Sequence, residues 1–141
     1  AGLGDVSVVR GLVVTKRANV NYRNDEGSTP LHVAASSGRM EVVWALVDMG
    51  ATIDAMDHSW GTALHWAAWN CEMETARALV EMKATIDARN NLGRTPLHVA
   101  VSSGQMETAK ALVEMGATVD AKDNLGSTPL HWAALNGEMD V

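Results

Sequence analysis

The chain repeats itself every 33 residues, and this period constrains its fold more than any other feature. The stronger of two markers, Thr-Pro-Leu-His-x-Ala-Ala with small variations, stands at 29–35, 62–68, 95–101 and 128–134. A second marker, Ala-Thr-Ile-Asp at 51–54, returns at 84–87 and again, with Val for Ile, at 117–120. Two markers at one period predict a linear array of equal structural units that support one another.

Each unit is predicted to contain two short helices. Thr29 can cap the first helix while Pro30 fills its first turn, where a missing N–H costs nothing. Gly38 is placed to end that helix, and a second helix is predicted from Met40 to Met49. Helices of this length are marginal alone, so the neighbouring unit has to bury their apolar faces.

These motifs resemble the ankyrin repeat family over about residues 4–141. The resemblance rests on the Thr-Pro-Leu-His-x-Ala-Ala run, the Gly after it, a Leu-x-x-x-Gly-Ala run and an Asn/Asp-x-x-Gly turn. It implies an all-α, ankyrin-repeat solenoid of stacked helix-turn-helix units, with projecting β-turn loops and a concave groove. The single domain 1–141 would comprise a leading half repeat at 1–23, full repeats at 24–56, 57–89 and 90–122, and a truncated last repeat at 123–141.

The register also predicts how the array ends. Gly4 to Leu12 is expected to be the second helix of the leading half repeat, with one extra residue before Ala18. Val141 falls in the first turn of a second helix. Neither end has the polar capping repeat that an array needs for solubility. We therefore expect an excerpt from a longer array, with apolar ends capable of end-to-end self-association.

Composition narrows the setting. Cys71 is the one cysteine among 141 residues, which excludes an internal disulfide and favours an intracellular, cytoplasmic protein, with the nucleus as the alternative. No run approaches the roughly 18–20 apolar residues of a membrane helix, and the N-terminus lacks the features of a signal peptide. No contact with a membrane is predicted.

Charge is unevenly distributed. Residues 1–40 hold five basic and three acidic groups, whereas 41–141 hold six basic and fourteen acidic groups. Such a surface repels phosphate backbones, so nucleic acid is not an expected partner. A protein or peptide with a basic patch would be attracted, and the alternative is a surface kept soluble by like charge.

The repeated histidines do not predict a metal site. Adjacent helices lie roughly 8–10 Å apart and Zn–N bonds are about 2.0–2.1 Å, so His32 and His65 cannot comfortably share an ion. The family resemblance implies that they hydrogen-bond to turn backbone. Cys71 has no base within reach and is expected to be inert. No catalytic residue, metal or cofactor is predicted, and the chain is expected not to be an enzyme.

The second repeat departs from the pattern. Trp60 occupies a turn position that is Gly in the other repeats, so its turn is expected to be strained or shifted toward Gly61. Cys71 and Lys83 also replace Gly, and Asn70 is expected to take the left-handed conformation in place of Cys71. This repeat is predicted to be the least stable.

The tryptophans sort into three groups. Trp60 and Trp69 are expected to project into the groove, with Met56, Leu92 and Leu125 around them, and the alternative packs Trp60 over a neighbouring turn. Trp66 and Trp132 share a column inside the first helix and are predicted to be core. Trp44 is predicted to be exposed on the second helix.

We therefore predict a non-catalytic protein–protein interaction module that binds a protein or peptide in its concave groove. Alternatives are a regulatory or targeting segment of a larger enzyme or channel, and an engineered binder, although framework variation such as Ile53 against Val119 favours a natural array. The family's contact positions are the turn tips and the ends of the first helices. By register, the candidate partner-binding residues are Met56, His58, Trp60, Trp69, Asn70, Arg89, Asn91, Leu92, Arg94, Ser102, Leu125 and Leu135.

Overall fold

The computed structural model describes residues 3–12 and 18–135. Val141 and most of the insertion expected before Ala18 lie outside these ranges. Within them the secondary structure is helical and contains no strand, as the all-α prediction requires. The helices are α1 (Leu3–Arg10), α2 (Pro30–Ser36), α3 (Met40–Asp48), α4 (Ala63–Trp69), α5 (Met73–Glu81), α6 (Pro96–Ser102), α7 (Met106–Glu114) and α8 (Pro129–Leu135).

Each first helix begins with a capping box in which histidine takes the part usually played by Glu or Gln. The backbone N–H of His32 donates to Oγ1 of Thr29 at 3.4 Å, and the backbone N–H of Thr29 donates to Nδ1 of His32 at 3.0 Å. The same exchange joins Thr62 to His65 and Thr95 to His98. This exchange explains why Thr and His recur three residues apart.

The helices form two parallel rows. Helices α2, α4, α6 and α8 stack in one row, helices α1, α3, α5 and α7 stack in the other, and α2 packs against α3 within its repeat. Alanines such as Ala35, Ala67 and Ala100 are fully buried between the rows, and their small side chains let the helices approach closely. The larger core residues recur at the same period, as Leu31, Leu64 and Leu97 in the first row and Leu46, Leu79 and Leu112 in the second.

Backbone hydrogen bonds join the turns of successive repeats. The N–H of His58 donates to the carbonyl of Glu26 at 3.1 Å, and the N–H of Asn91 donates to the carbonyl of Ser59 at 3.0 Å. The Asp of the second marker performs a similar task, because Oδ1 of Asp54 accepts from the N–H of Thr85 in the next repeat at 2.9 Å. The turn tips are therefore fixed relative to one another.

The second repeat contains three non-glycine residues with positive φ: Trp60 at 63°, Cys71 at 61° and Lys83 at 78°. The turn at Trp60 is thus strained and not shifted, because Trp60 donates its N–H to the carbonyl of Asp57 as the turn glycines do elsewhere. The prediction for Asn70 is wrong, since its φ is −97°. The start of α5, held by the bond from the N–H of Glu72 to the carbonyl of Ala67, places the left-handed residue at position 71.

Candidate binding surface

The predicted partner-binding residues lie on the turns and on the ends of the first helices. Trp60 and Trp69 expose 57% and 58% of their surface, and Leu125 exposes 82%. Of the predicted set, Arg94 and Ser102 are the two partly buried residues. The remaining positions are also exposed: Met56, His58, Asn70, Arg89, Asn91, Leu92 and Leu135.

Side chains brace the turns from within. The guanidinium of Arg23 donates to the carbonyl of Gly27 at 2.9 Å and to that of Met56 in the next repeat. Nδ2 of Asn124 donates to the carbonyl of Asn91 at 3.0 Å. The candidate surface is therefore held in place by the fold before any partner arrives.

Two tryptophans of the first helices are anchored by buried carboxylates. Oδ1 of Asp57 accepts from the backbone N–H groups of Ser59 and Gly61, and its Oδ2 accepts from Nε1 of Trp66 at 2.9 Å. Asp123 and Trp132 form the same pair at 3.1 Å. These bonds fix the orientation of both indole rings.

The other two repeats lack this pair, and their sequences differ in a matching way. Asn24 and Asn90 take the place of Asp, and Val33 and Val99 take the place of Trp. Oδ1 of each Asn still accepts the two turn N–H groups, as in the bond from Glu26 at 3.0 Å. Asp therefore occurs in the repeats whose Trp needs an acceptor for its indole N–H, and Asn occurs in the repeats that have Val in place of that Trp.

A cavity of about 350 Å³ opens beside Trp69, between the second and third repeats. We call it the Trp66–Trp69 cavity, after the two rings that form its wall. Ser59, Asn90 and Val99 complete much of its lining. Its volume lies at the lower end of the roughly 300–1,000 Å³ that ligand pockets have.

This cavity corrects one prediction and bears on a second. Trp66 was expected in the core, but it is only partly buried, because the ring stands between helices of adjacent repeats and borders open space. Trp69 was expected to project into the groove with Trp60, with Met56, Leu92 and Leu125 around them. That grouping stays a prediction, and none of these four residues lines the Trp66–Trp69 cavity. They extend from the turns and the preceding loop, whereas Trp69 extends from α4.

The helical spacing could have revealed Trp66. Positions 66, 69 and 70 are related by three and four residues, so they lie on one face of α4. If Trp69 is exposed, this spacing predicts that Trp66 lies on the same surface of the helix. Trp132 is also only partly buried, so it too is less buried than predicted, but it packs against the core and Arg94 stacks on its ring.

Arg94 turns inward instead of toward solvent. Its guanidinium carbon lies 4.4 Å from the ring centroid of Trp132, and its Nε lies 3.7 Å from Oδ2 of Asp123. Burial alone would raise the pKa of Asp123, but hydrogen bonds from Ser127, Trp132 and Leu125 bring that pKa below its ordinary value of 3.8. The carboxylate therefore stays charged beneath the arginine.

The three buried histidines serve as structural hydrogen-bonding groups. Because Nδ1 of His32 accepts a backbone N–H, the neutral ring carries its proton on Nε2 and donates to the carbonyl of Gly61 at 2.9 Å. Burial lowers the pKa of His32, His65 and His98 below 6.5. This agrees with the structural role implied for the ladder.

No group of three or more His, Cys, Asp or Glu side chains among residues 3–12 and 18–135 is arranged to hold a metal ion. Over the same ranges, every helix is too short or too polar to cross a bilayer. Cys71 is a free, exposed thiol.

These features define a helical repeat protein in which paired helices stack and projecting turns present a braced surface. The family model for ankyrin repeats, in three copies, matches residues 1–90 and 83–141. The chain therefore belongs to the ankyrin repeat family, whose repeat domains are generally non-catalytic protein-interaction modules.

Its relatives are larger proteins of several kinds. Alpha-latrocrustotoxin-Lt1a of Latrodectus tredecimguttatus is 42% identical over 39% of the chain, and palmitoyltransferase akr1 of Emericella nidulans is 40% identical over 39%. The E3 ubiquitin-protein ligase XB3 of Oryza sativa is 48% identical over 30%. The matched segments cover 4%, 8% and 9% of these three proteins. The similarity thus concerns a short stretch of repeats.

Proposed function

We propose that this chain binds a protein or peptide on the face formed by its turn tips and first helices. The observation that carries the proposal is the Trp66–Trp69 cavity, where an exposed and a half-buried tryptophan border about 350 Å³ of open space. Tryptophan is among the residues that most often dominate binding energy at protein interfaces. A partner side chain entering this cavity would bury both rings.

Rigid presentation supports the proposal. The turns are cross-linked by backbone bonds such as that from Asn91 to Ser59, and Gln105 reaches back to the carbonyl of Trp69 at 3.4 Å. A surface already ordered loses little conformational entropy on binding. The affinity available from a few aromatic contacts is then largely retained.

The charge distribution supports a basic partner. The excess of fourteen acidic over six basic residues in 41–141 creates a negative field around the later repeats. Opposite charge on a partner would speed association, and added salt would slow it. We therefore propose a protein or peptide with a basic patch in preference to nucleic acid.

Nuclear magnetic resonance of the five tryptophan indoles tests the binding face. Peptides would be selected from a random library displayed on phage, and each would be titrated into the ¹⁵N-labelled chain. We expect the indole signals of Trp66 and Trp69 to move while that of Trp44 on α3 does not. Selected peptides that move only Trp44, or a library that yields no binder, would contradict the proposal.

A matched pair of variants completes this test. Trp44 and Trp69 are both exposed, at 46% and 58%, but they belong to the two different rows. We expect Trp69→Ala to weaken peptide binding roughly tenfold or more, as interface hot spots do. Trp44→Ala should leave affinity unchanged, and equal effects of the two would count against the proposed face.

We also propose that the chain acts without catalysis, inside the cell, as a regulatory or targeting part of a larger protein. The free thiol of Cys71 suits a reducing compartment. Val8 and Leu130 expose 63% and 73% of their surface, which suits contact with a second copy. Analytical ultracentrifugation over a range of concentrations tests that contact, and a strict monomer would argue against self-association.

A further inference from the structure

The contact of Arg94 with Trp132 and Asp123 shows which group this fold places on a carboxylate–indole pair. The cation stacks on the ring at 4.4 Å, and its Nε lies 3.7 Å from the same Oδ2 that accepts from the indole. Arg94 comes from the repeat before Trp132. Planar, permanently charged guanidinium suits both stacking and contact with a carboxylate.

Two repeats earlier, the pair is present but the arginine is not. Asp57 and Trp66 stand 66 residues before Asp123 and Trp132, with the same indole-to-carboxylate bond. The residue 66 positions before Arg94 is Ser28. Its short side chain cannot extend across the ring of Trp66 as Arg94 extends across Trp132.

A cavity of about 150 Å³ borders both Ser28 and Trp66. We call it the Glu26–Trp66 cavity, and its lining includes Ser28, Ser36 and Asn24 in addition to the residues that name it. Its volume is well below that of a pocket for a whole small ligand, about 300 Å³ or more, so it suits a single side chain. Glu26 supplies a carboxylate to this lining.

We propose that the Glu26–Trp66 cavity receives an arginine side chain of the bound protein or peptide. Its guanidinium stacks on Trp66, as that of Arg94 stacks on Trp132. Its charge is balanced by Glu26 of the lining and by Asp57, which accepts the indole N–H of Trp66 but does not itself line the cavity. This rests on the proposed binding function and specifies the chemistry of the partner. It also gives a local reason for a basic partner, in addition to the net charge.

The first arm of the test uses small probes and the indole signal of Trp66. The probes are the N-acetyl, N-methylamide derivatives of arginine, lysine and neutral citrulline. We expect the arginine derivative to shift the Trp66 signal saturably, with an apparent affinity at least about threefold above that of lysine. No response to arginine, or an equal response to citrulline, would overturn the proposal.

The second arm exchanges the two sites within the chain. Ser28→Arg should place the chain's own guanidinium over Trp66 and abolish the response to the arginine probe. Arg94→Ser reproduces the residue found at position 28, so it should fold and should give Trp132 a new response. Circular dichroism checks that both variants are folded. A response at Trp66 that persists in folded Ser28→Arg, or none at Trp132 in folded Arg94→Ser, would refute the assignment.

The library peptides distinguish failure of this inference from failure of the proposed function. If selected peptides move the Trp69 signal but bind Ser28→Arg as tightly as the original chain, arginine recognition is wrong and the binding face stands. If arginine-containing peptides lose affinity roughly tenfold when that arginine becomes citrulline, the inference is supported. If no peptide moves the Trp69 signal, the proposed binding face fails, whatever the small probes show.

Discussion

The Nε2 nitrogen of His32 lies 2.9 Å from the carbonyl oxygen of Gly61, which belongs to the next repeat. His65 makes the same contact with Arg94, and His98 makes it with Ser127, each at 2.9 Å. The same ring caps its own helix through Nδ1. One side chain therefore starts a helix and joins two repeats, which couples local structure to stacking.

This dual role predicts that stability falls as the pH is lowered below about 6.5. The folded pKa values of His32, His65 and His98 are below 6.5, so the unfolded chain binds protons first. The stabilisation is complete above 6.5 and is lost as the pH falls through the folded values, by up to about 1.4 kcal/mol per pH unit for each histidine. Urea unfolding at pH 7.5, 6.5 and 5.5 measures it.

A variant separates the histidines from other acid effects. His98→Gln removes one titrating group, so its stability should be lower at pH 7.5 but should change less between pH 7.5 and 5.5. Asp123 cannot mimic this effect, because its pKa is below 3.8 and its contribution is lost only at lower pH. A midpoint that is constant or rises toward pH 5.5 would show that the histidines are not neutral anchors.

A second prediction compares a buried histidine, His65, with an exposed one, His131. His65→Ala removes a buried cap and leaves the carbonyl of Arg94 without its partner, which should cost about 2–4 kcal/mol. His131→Ala removes an equivalent cap in an exposed setting, and about 1 kcal/mol is expected. Denaturant unfolding compares them, and a His131 effect as large as that of His65 would contradict the coupling role.

A third prediction concerns the carboxylate–indole pair. Asp57→Asn would either point its amide N–H₂ at Nε1 of Trp66 or adopt a less favourable rotamer. The partly buried indole donor then loses its acceptor at a cost of about 1–3 kcal/mol. Trp66→Val together with Asp57→Asn recreates the combination of Asn90 and Val99 found in the third repeat.

A double-mutant cycle measures the coupling between the two positions. We expect the double variant to be less destabilised than the sum of the single variants, by about 1 kcal/mol or more. Additive effects would mean that the pairing of Asp with Trp is incidental. Trp132 and Asp123 should give the same result with Arg94 replaced by Ser, since the arginine is then no longer an additional partner.

The sequence predicted the repeat architecture well because its signals are local and periodic. The capping Thr29, the terminating Gly38 and the apolar spacing act within one repeat, and each recurs. The environment of Trp66 depends on the neighbouring repeat, where the residue in register with Arg94 is Ser28. Arg94 covers the ring of Trp132, but Ser28 is too short to cover that of Trp66. Asn70 was misassigned for a similar reason, because the following helix, and not local preference, sets the left-handed position.

The last prediction concerns strain in the second repeat. Cys71 and Lys83 hold φ values of 61° and 78°, which favour glycine. Replacement by Gly removes a left-handed penalty of about 1–2 kcal/mol per residue, but glycine loses about 0.5–1 kcal/mol more through backbone entropy. We expect Cys71→Gly and Lys83→Gly each to raise the free energy of unfolding by about 0.5–1 kcal/mol.

Alanine variants provide the matched control for that gain. Cys71→Ala and Lys83→Ala remove the same side chains but keep a Cβ atom in the left-handed conformation, so neither should gain the stability of its glycine counterpart. Hydrogen exchange should show residues 57–83 as less protected than the third repeat, with the difference reduced in the glycine variants. If these residues were the best protected segment, or if alanine stabilised as much as glycine, the strain at these two positions would have no bearing on the stability of the repeat.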